Sequence, residues 1–172
     1  MRLAPSSDMA LFEPVVSDPR WTQRLPHIDD LVATVLARAN RAETRGSVVI
    51  LFTNDAEMRS LNSRWRGLDK ATDVLSFPSS GPGEPGGPQP LGDIAVGYET
   101  AMRDAKDMGR PVEAHVSHLL VHGFLHLLGH DHVAPADAVA MESLETAILA
   151  DLGWPDPYRT GPYLFDSSGK TD

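Results

Sequence analysis

The segment HGFLHLLGHDH, residues 122–132, carries three histidines spaced to share one metal ion. His122 and His126 are four residues apart, the helical spacing that lets two ring nitrogens reach one ion, as in H-E-x-x-H sites. Gly129 lets the chain leave the helix, and the following turn can return His132 as a third ligand. Three protein ligands with a fourth position open describe a catalytic zinc site. There a bound water is acidified to a pKa of ~7 and attacks as hydroxide, whereas a structural site normally closes with four ligands. The expectation is one zinc ion per chain on His122, His126 and His132, with hydrolysis as its chemistry. Other divalent metals suit the same ligands.

The element that positions these residues is a helix from about Val112 to Leu128. At ~100° per residue, His115, His118, His122 and His126 fall within about 80° of arc, so all four share one face. The remaining positions are apolar nearly all round, which marks the helix as buried. Imidazoles there need partners, because an unpaired buried polar group costs roughly 1–3 kcal/mol. A metal supplies them; a pair of satisfied core histidines is the plain alternative for His122 and His126. His115 and His118 are open to orienting ligands, binding RNA or bonding locally, with a structural role preferred. Asp131 is open to orienting a ligand imidazole or capping its turn. His130 is expected to face solvent, and His27, beside Pro26, to be structural. Gly123 stands where a zinc peptidase carries its Glu base, so a peptidase loses that base. Either substrate access or close helix packing accounts for a glycine there.

Around this helix the pattern predicts another over 27–42, a β-branched strand over 46–53, and a helix capped by Asn54 and stopped by Gly67. Strands follow over 72–78 and 91–97, then helices over 98–108 and 135–153. The start is expected to be irregular, the Gly- and Pro-filled stretch 79–90 to be a flexible loop, and the tail 167–172 to be disordered. The fold class is α+β (mixed α/β): a small mixed sheet packed with helices, the metal site at the end of a buried central helix in a zincin-like placement. All 172 residues are expected to form one domain with its core over about 24–158.

The absence of cysteine excludes disulfides and thiolate chemistry, leaving nitrogen and oxygen to bind any metal. No run of apolar residues matches a membrane span and the start lacks a signal-peptide pattern, which points to the cytoplasm. A net charge of -9 argues against a general polyanion binder. Locally, Arg59, Arg64, Arg66 and Lys70 stand against Asp69 alone, so one surface is basic.

HGFLHLLGHDH closely resembles the H-G-x-L-H-L-x-G-[YH]-D-H signature of the YbeY family of metal-dependent endoribonucleases. LNSRWRGLDKATDVLSFP resembles that family's L-N-x-x-Y-R-G-K-D-x-x-T-[DN]-V-L-S-F-P block, and LGDIAVG its L-G-D stretch; EAHVSHLLVHG and MESLETAILADLG fit its flanking helices. The resemblance spans roughly residues 46 to 158. It implies a single-strand-specific endoribonuclease for 3′-end maturation of 16S rRNA and ribosome quality control, with the small subunit and its ribosomal proteins as partners and neither DNA nor membrane expected. It places the metal on His122, His126 and His132, and makes Arg66 and His122 catalytic. Trp65 replaces the family's usual Tyr, Leu68 its Lys and His130 the commoner Tyr; losing the Lys removes one phosphate contact.

Phosphodiester hydrolysis develops charge on phosphoryl oxygens, which a metal and a fixed guanidinium can stabilise. Without the family match, a surface ion pair of Arg66 with Asp69 or Asp73 would be preferred. Whether the nucleophile is metal hydroxide or a ribose 2′-hydroxyl stays open. A ribosome-assembly factor with a structural metal is the competing class, and a zinc peptidase a more distant one.

Overall fold

The computed structural model describes residues 10–83 and 85–159. The stretch expected to be irregular begins instead with strand β1 (Ala10–Val16) and a short helix α1 (Arg20–Arg24). Pro14 disguises the strand, yet it is tolerated because β1 is a sheet edge that pairs only with the next strand. Trp21 in α1 is fully buried and donates its indole N–H to the Thr53 carbonyl at 2.8 Å. The packed body therefore begins before residue 24.

After this come α2 (Ile28–Ala39), β2 (Gly46–Thr53), α3 (Asp55–Arg66), β3 (Val74–Pro78) and β4 (Pro90–Gly97), then α4 (Tyr98–Asp107), α5 (Val112–Leu127) and α6 (Pro135–Asp151). Each predicted helix and strand is present, with ends displaced by up to three residues. Residues 79–83 and 85–89 are irregular and mostly exposed, and Pro90 already belongs to β4. The expected disordered tail, 167–172, lies outside the described residues. Among those residues no helix is long and apolar enough to cross a membrane.

The sheet runs in the order β1-β2-β4-β3. β1, β2 and β4 are mutually parallel and β3 closes the far edge antiparallel to β4, so the sheet is mixed and the class is α+β as expected. Side chains alternate between its faces. Val48, Ile50 and Phe52 of β2, with Ile94 and Val96 beside them on β4, are fully buried in the main core, which includes α2, α5 and α6 residues. On the other face Leu75, Ala95, Leu51 and Phe77 pack under Met58 and Leu61 of α3. Helix α5 thus lies in the main core, with its C-terminal half against β3 and β4.

Candidate metal centre

Val116, Leu120, Val121, Phe124 and Leu125 of α5 are almost completely buried, which fixes the rotation of the helix and hence where its histidines emerge. The helix ends as Gly129 donates to the His126 carbonyl at 3.0 Å and His130 to the Leu125 carbonyl at 3.0 Å. Gly129 is at φ +97, a left-handed conformation that an L side chain rarely adopts. The turn is closed by Asp131, whose carboxylate accepts the Val133 N–H at 3.0 Å; of its two expected roles, this is the capping one. His132 is returned over the helix end, its ring centroid 5.5 Å from that of His122 and 5.0 Å from that of His126. One ring nitrogen from each of the three lies within 4.8 Å of the others.

Hydrogen bonds decide which nitrogens face that point. His122 Nδ1 lies 2.6 Å from Glu145 Oε1, and His126 Nδ1 lies 2.9 Å from the His130 carbonyl. Both partners are acceptors, so each Nδ1 donates and each Nε2 carries a lone pair. The two Nε2 atoms are 3.1 Å apart. Lone pairs facing each other repel, whereas two nitrogens bound to one tetrahedral zinc at ~2.0–2.1 Å stand roughly 3.3 Å apart. The donor set therefore fits a divalent cation. Burial holds His126 below its ordinary pKa and the charges of His122 and His132 add to this, favouring the neutral form a metal requires.

The carboxylate behind His122 was not singled out from sequence. Glu145 on α6 is fully buried; it accepts from His122, from His118 at 3.1 Å and from the Tyr158 hydroxyl. Burial raises its pKa, but the three hydrogen bonds together outweigh burial and bring it down to about 2, so it remains an anion. A signal was present in the sequence: Glu145 shares a buried helical stripe with Met141, Ile148 and Leu149, where an acid needs partners.

The three histidines line a cleft of about 1490 Å³, and Trp65, Arg66, Asp73 and Phe77 line the same cleft. Helix α3 presents Trp65 and Arg66 in its last turn. Asn54 caps its start by accepting from the Glu57 N–H at 2.9 Å, and Gly67 ends it. Arg66 is exposed and has no ion pair among the described residues. The surface pair weighed for it does not form, because Asp69 binds Arg59 instead through contacts of 2.6 and 2.9 Å. Trp65 is 65% exposed, edge-on to Phe77 with ring centroids 6.5 Å apart.

A family model described as Endoribonuclease YbeY matches residues 17–153, well over half of the chain. The chain belongs to the YbeY endoribonuclease family. A relative from Bradyrhizobium sp. strain BTAi1, named Endoribonuclease YbeY, is 46% identical over 162 residues, covering 90% of this chain and 95% of its own. One of the same name from Rhodopseudomonas palustris strain BisA53 is 53% identical over 121 residues, covering 68% and 70%. Likeness to a Thermotoga maritima protein known from a solution structure is weaker, with TM-score 0.49 at 19% identity over 88% of this chain and 99% of that one.

This YbeY family member uses Gly123 for packing. A β carbon there would meet Ile94 Cγ2 and Ser76 Oγ at 3.1 Å, and the Gly123 carbonyl accepts from the Ser76 hydroxyl at 3.0 Å. This position points at the sheet, so a side chain there would press on Ile94 and Ser76. The four histidines on one helix face also divide. His118 bonds to Glu145 behind the centre, while His115 is buried apart, near Asp73 and Asp104. His130 is exposed, and His27 occupies the N-cap of α2 with no side-chain cap bond.

Proposed function

We propose that this chain is a zinc-dependent, single-strand-specific endoribonuclease of the cytoplasm. It would act in 3′-end maturation of 16S rRNA and in ribosome quality control, in contact with the small subunit and its proteins. The observation that carries this reading is that one cleft is lined both by a three-nitrogen donor set and by a guanidinium with no ion pair among the described residues. RNA is a polyanion, and a free Arg is suited to phosphate oxygens through its fork of donors. Membership of an endoribonuclease family directs the cleft to that substrate.

His122, His126 and His132 hold the ion, which when bound supplies positive charge to the phosphoryl group and lowers the pKa of a water. Glu145 keeps His122 in the tautomer that presents Nε2, and the His130 carbonyl does the same for His126. Arg66 binds a non-bridging phosphate oxygen and stabilises charge that grows there as the bond breaks. Trp65, broad and exposed beside it, stacks a base of the splayed strand.

Purified protein should cleave an unstructured RNA oligonucleotide, stop when a chelator is added, and leave the matching duplex intact. Undiminished cleavage by His122→Ala would end this reading. Cleavage of denatured protein instead of RNA would revive the peptidase.

A further inference from the structure

Away from the three-histidine centre, His115 of α5 is only 2% exposed and neither ring nitrogen has a hydrogen-bond partner among the described residues. An imidazole always carries at least one N–H, so a buried ring without partners leaves a donor and an acceptor unsatisfied. Two carboxylates stand beside it. A ring nitrogen of His115, an oxygen of Asp73 and an oxygen of Asp104 all lie within 4.8 Å of one another.

The carboxylates have capacity to spare. Asp73 Oδ1 accepts the Val74 N–H at 2.8 Å, and Asp104 Oδ1 has only a marginal approach from Arg103 at 3.9 Å. Burial raises Asp104 and the charge of Asp73 adds to it, as expected for two acids crowded together without a cation. Burial lowers His115 to about 4, so near neutral pH the ring is a neutral ligand and not the missing counter-charge.

We propose that Asp73, Asp104 and His115 form a second divalent-cation site, suited to a first-row transition ion such as Mn2+ or Zn2+. Two carboxylate oxygens and one imidazole nitrogen are a mixed hard and borderline donor set of the kind such ions accept. Metal bonds of ~2.0–2.2 Å require donors about 3–4 Å apart, within reach of small movements at the side-chain tips. The site is separate from the first: His115 precedes His122 by seven residues, about 10.5 Å along the helix, against the ≈ 3.5–4 Å between ions in a two-metal catalytic centre. Its position suggests a brace. The ligands come from the residue just before β3, from α4 and from α5, and residues 67–72 join that anchor directly to Arg66. An ion there fixes one end of the segment that carries the cleft's free guanidinium.

Mn2+ binding to the full chain, followed by electron paramagnetic resonance and metal analysis, tests this. A His122→Ala/His126→Ala chain should still bind one Mn2+, with nitrogen coupling in its pulsed spectrum that is lost in His115→Gln. Adding Asp104→Asn, a near-isosteric change at a partly exposed position, should weaken binding at least about tenfold with the circular dichroism unchanged. Failure to bind Mn2+ or Zn2+, or binding unaffected by Asp104→Asn, overturns the proposal. Should the double variant not fold, the unmutated chain loaded with Zn2+ gives the same decision: two ions per chain falling to one in Asp104→Asn supports it, and one in both overturns it.

Discussion

On the α5 side of the cleft, His122 and His126 have their Nδ1 atoms held by Glu145 and the His130 carbonyl. On the α3 side, Trp65 and Arg66 project into solvent from a helix end. A metal ligand misplaced by an ångström is lost, and the chain meets that demand by anchoring His122 to a buried anion on another helix. A flexible polyanion makes the opposite demand. Exposed side chains that can swing meet phosphates and bases of variable geometry at little cost in organisation. The division also suggests which mutations should damage metal binding and which only RNA handling.

The largest effect is expected from His126→Ala, which should abolish binding at the three-histidine centre and slow RNA cleavage by at least about 10³-fold, ~4 kcal/mol of transition-state stabilisation. Arg66→Ala should cost about 10²-fold in kcat with metal content unchanged and stability altered by less than ~0.5 kcal/mol. Loss of metal in that variant would break the division between the two walls.

Glu145→Gln should weaken zinc binding by about 10- to 100-fold, measured by competition with a chromogenic chelator, with cleavage recovering at high zinc. The same variant sharpens the account of the buried anion. Glu145 has its folded pKa lowered from 4.5 to about 2, so its contribution to stability is present above 4.5 and is lost as pH falls toward 2. Metal-free protein unfolded in urea at a series of acid pH values should show that loss, and Glu145→Gln should show less of it. The smallest effect is expected from Trp65→Ala: about a tenfold rise in KM for single-stranded RNA, from ~1–3 kcal/mol of base stacking, with zinc affinity untouched.

Much of this was legible in the sequence because it is local. The i, i+4 histidines, the glycine that ends their helix and the Asn54 and Gly67 caps of α3 are all short-range patterns, and the structure has them where the spacing predicts. Long-range features were not. β1 was missed because Pro14 reads as a strand breaker until its place on the sheet edge is known. Glu145 reads as one more acid on a helix until α6 packs on α5 and sets it behind His122. Residue types alone favoured an ion pair of Arg66 with Asp69 or Asp73 over the role the family resemblance gives it, yet Arg59, a few residues earlier, takes Asp69. Asp73, Asp104 and His115 meet only in three dimensions, so the helical-face argument, which left the role of His115 open, gave no sign of these neighbours.

The most direct test is to strip the chain with a chelator and add zinc back while following cleavage of a single-stranded RNA. Cleavage should be absent without metal and return as zinc is restored, whereas His132→Ala should not recover under the same conditions. Undiminished cleavage by the metal-free chain would contradict the role given to His122, His126 and His132.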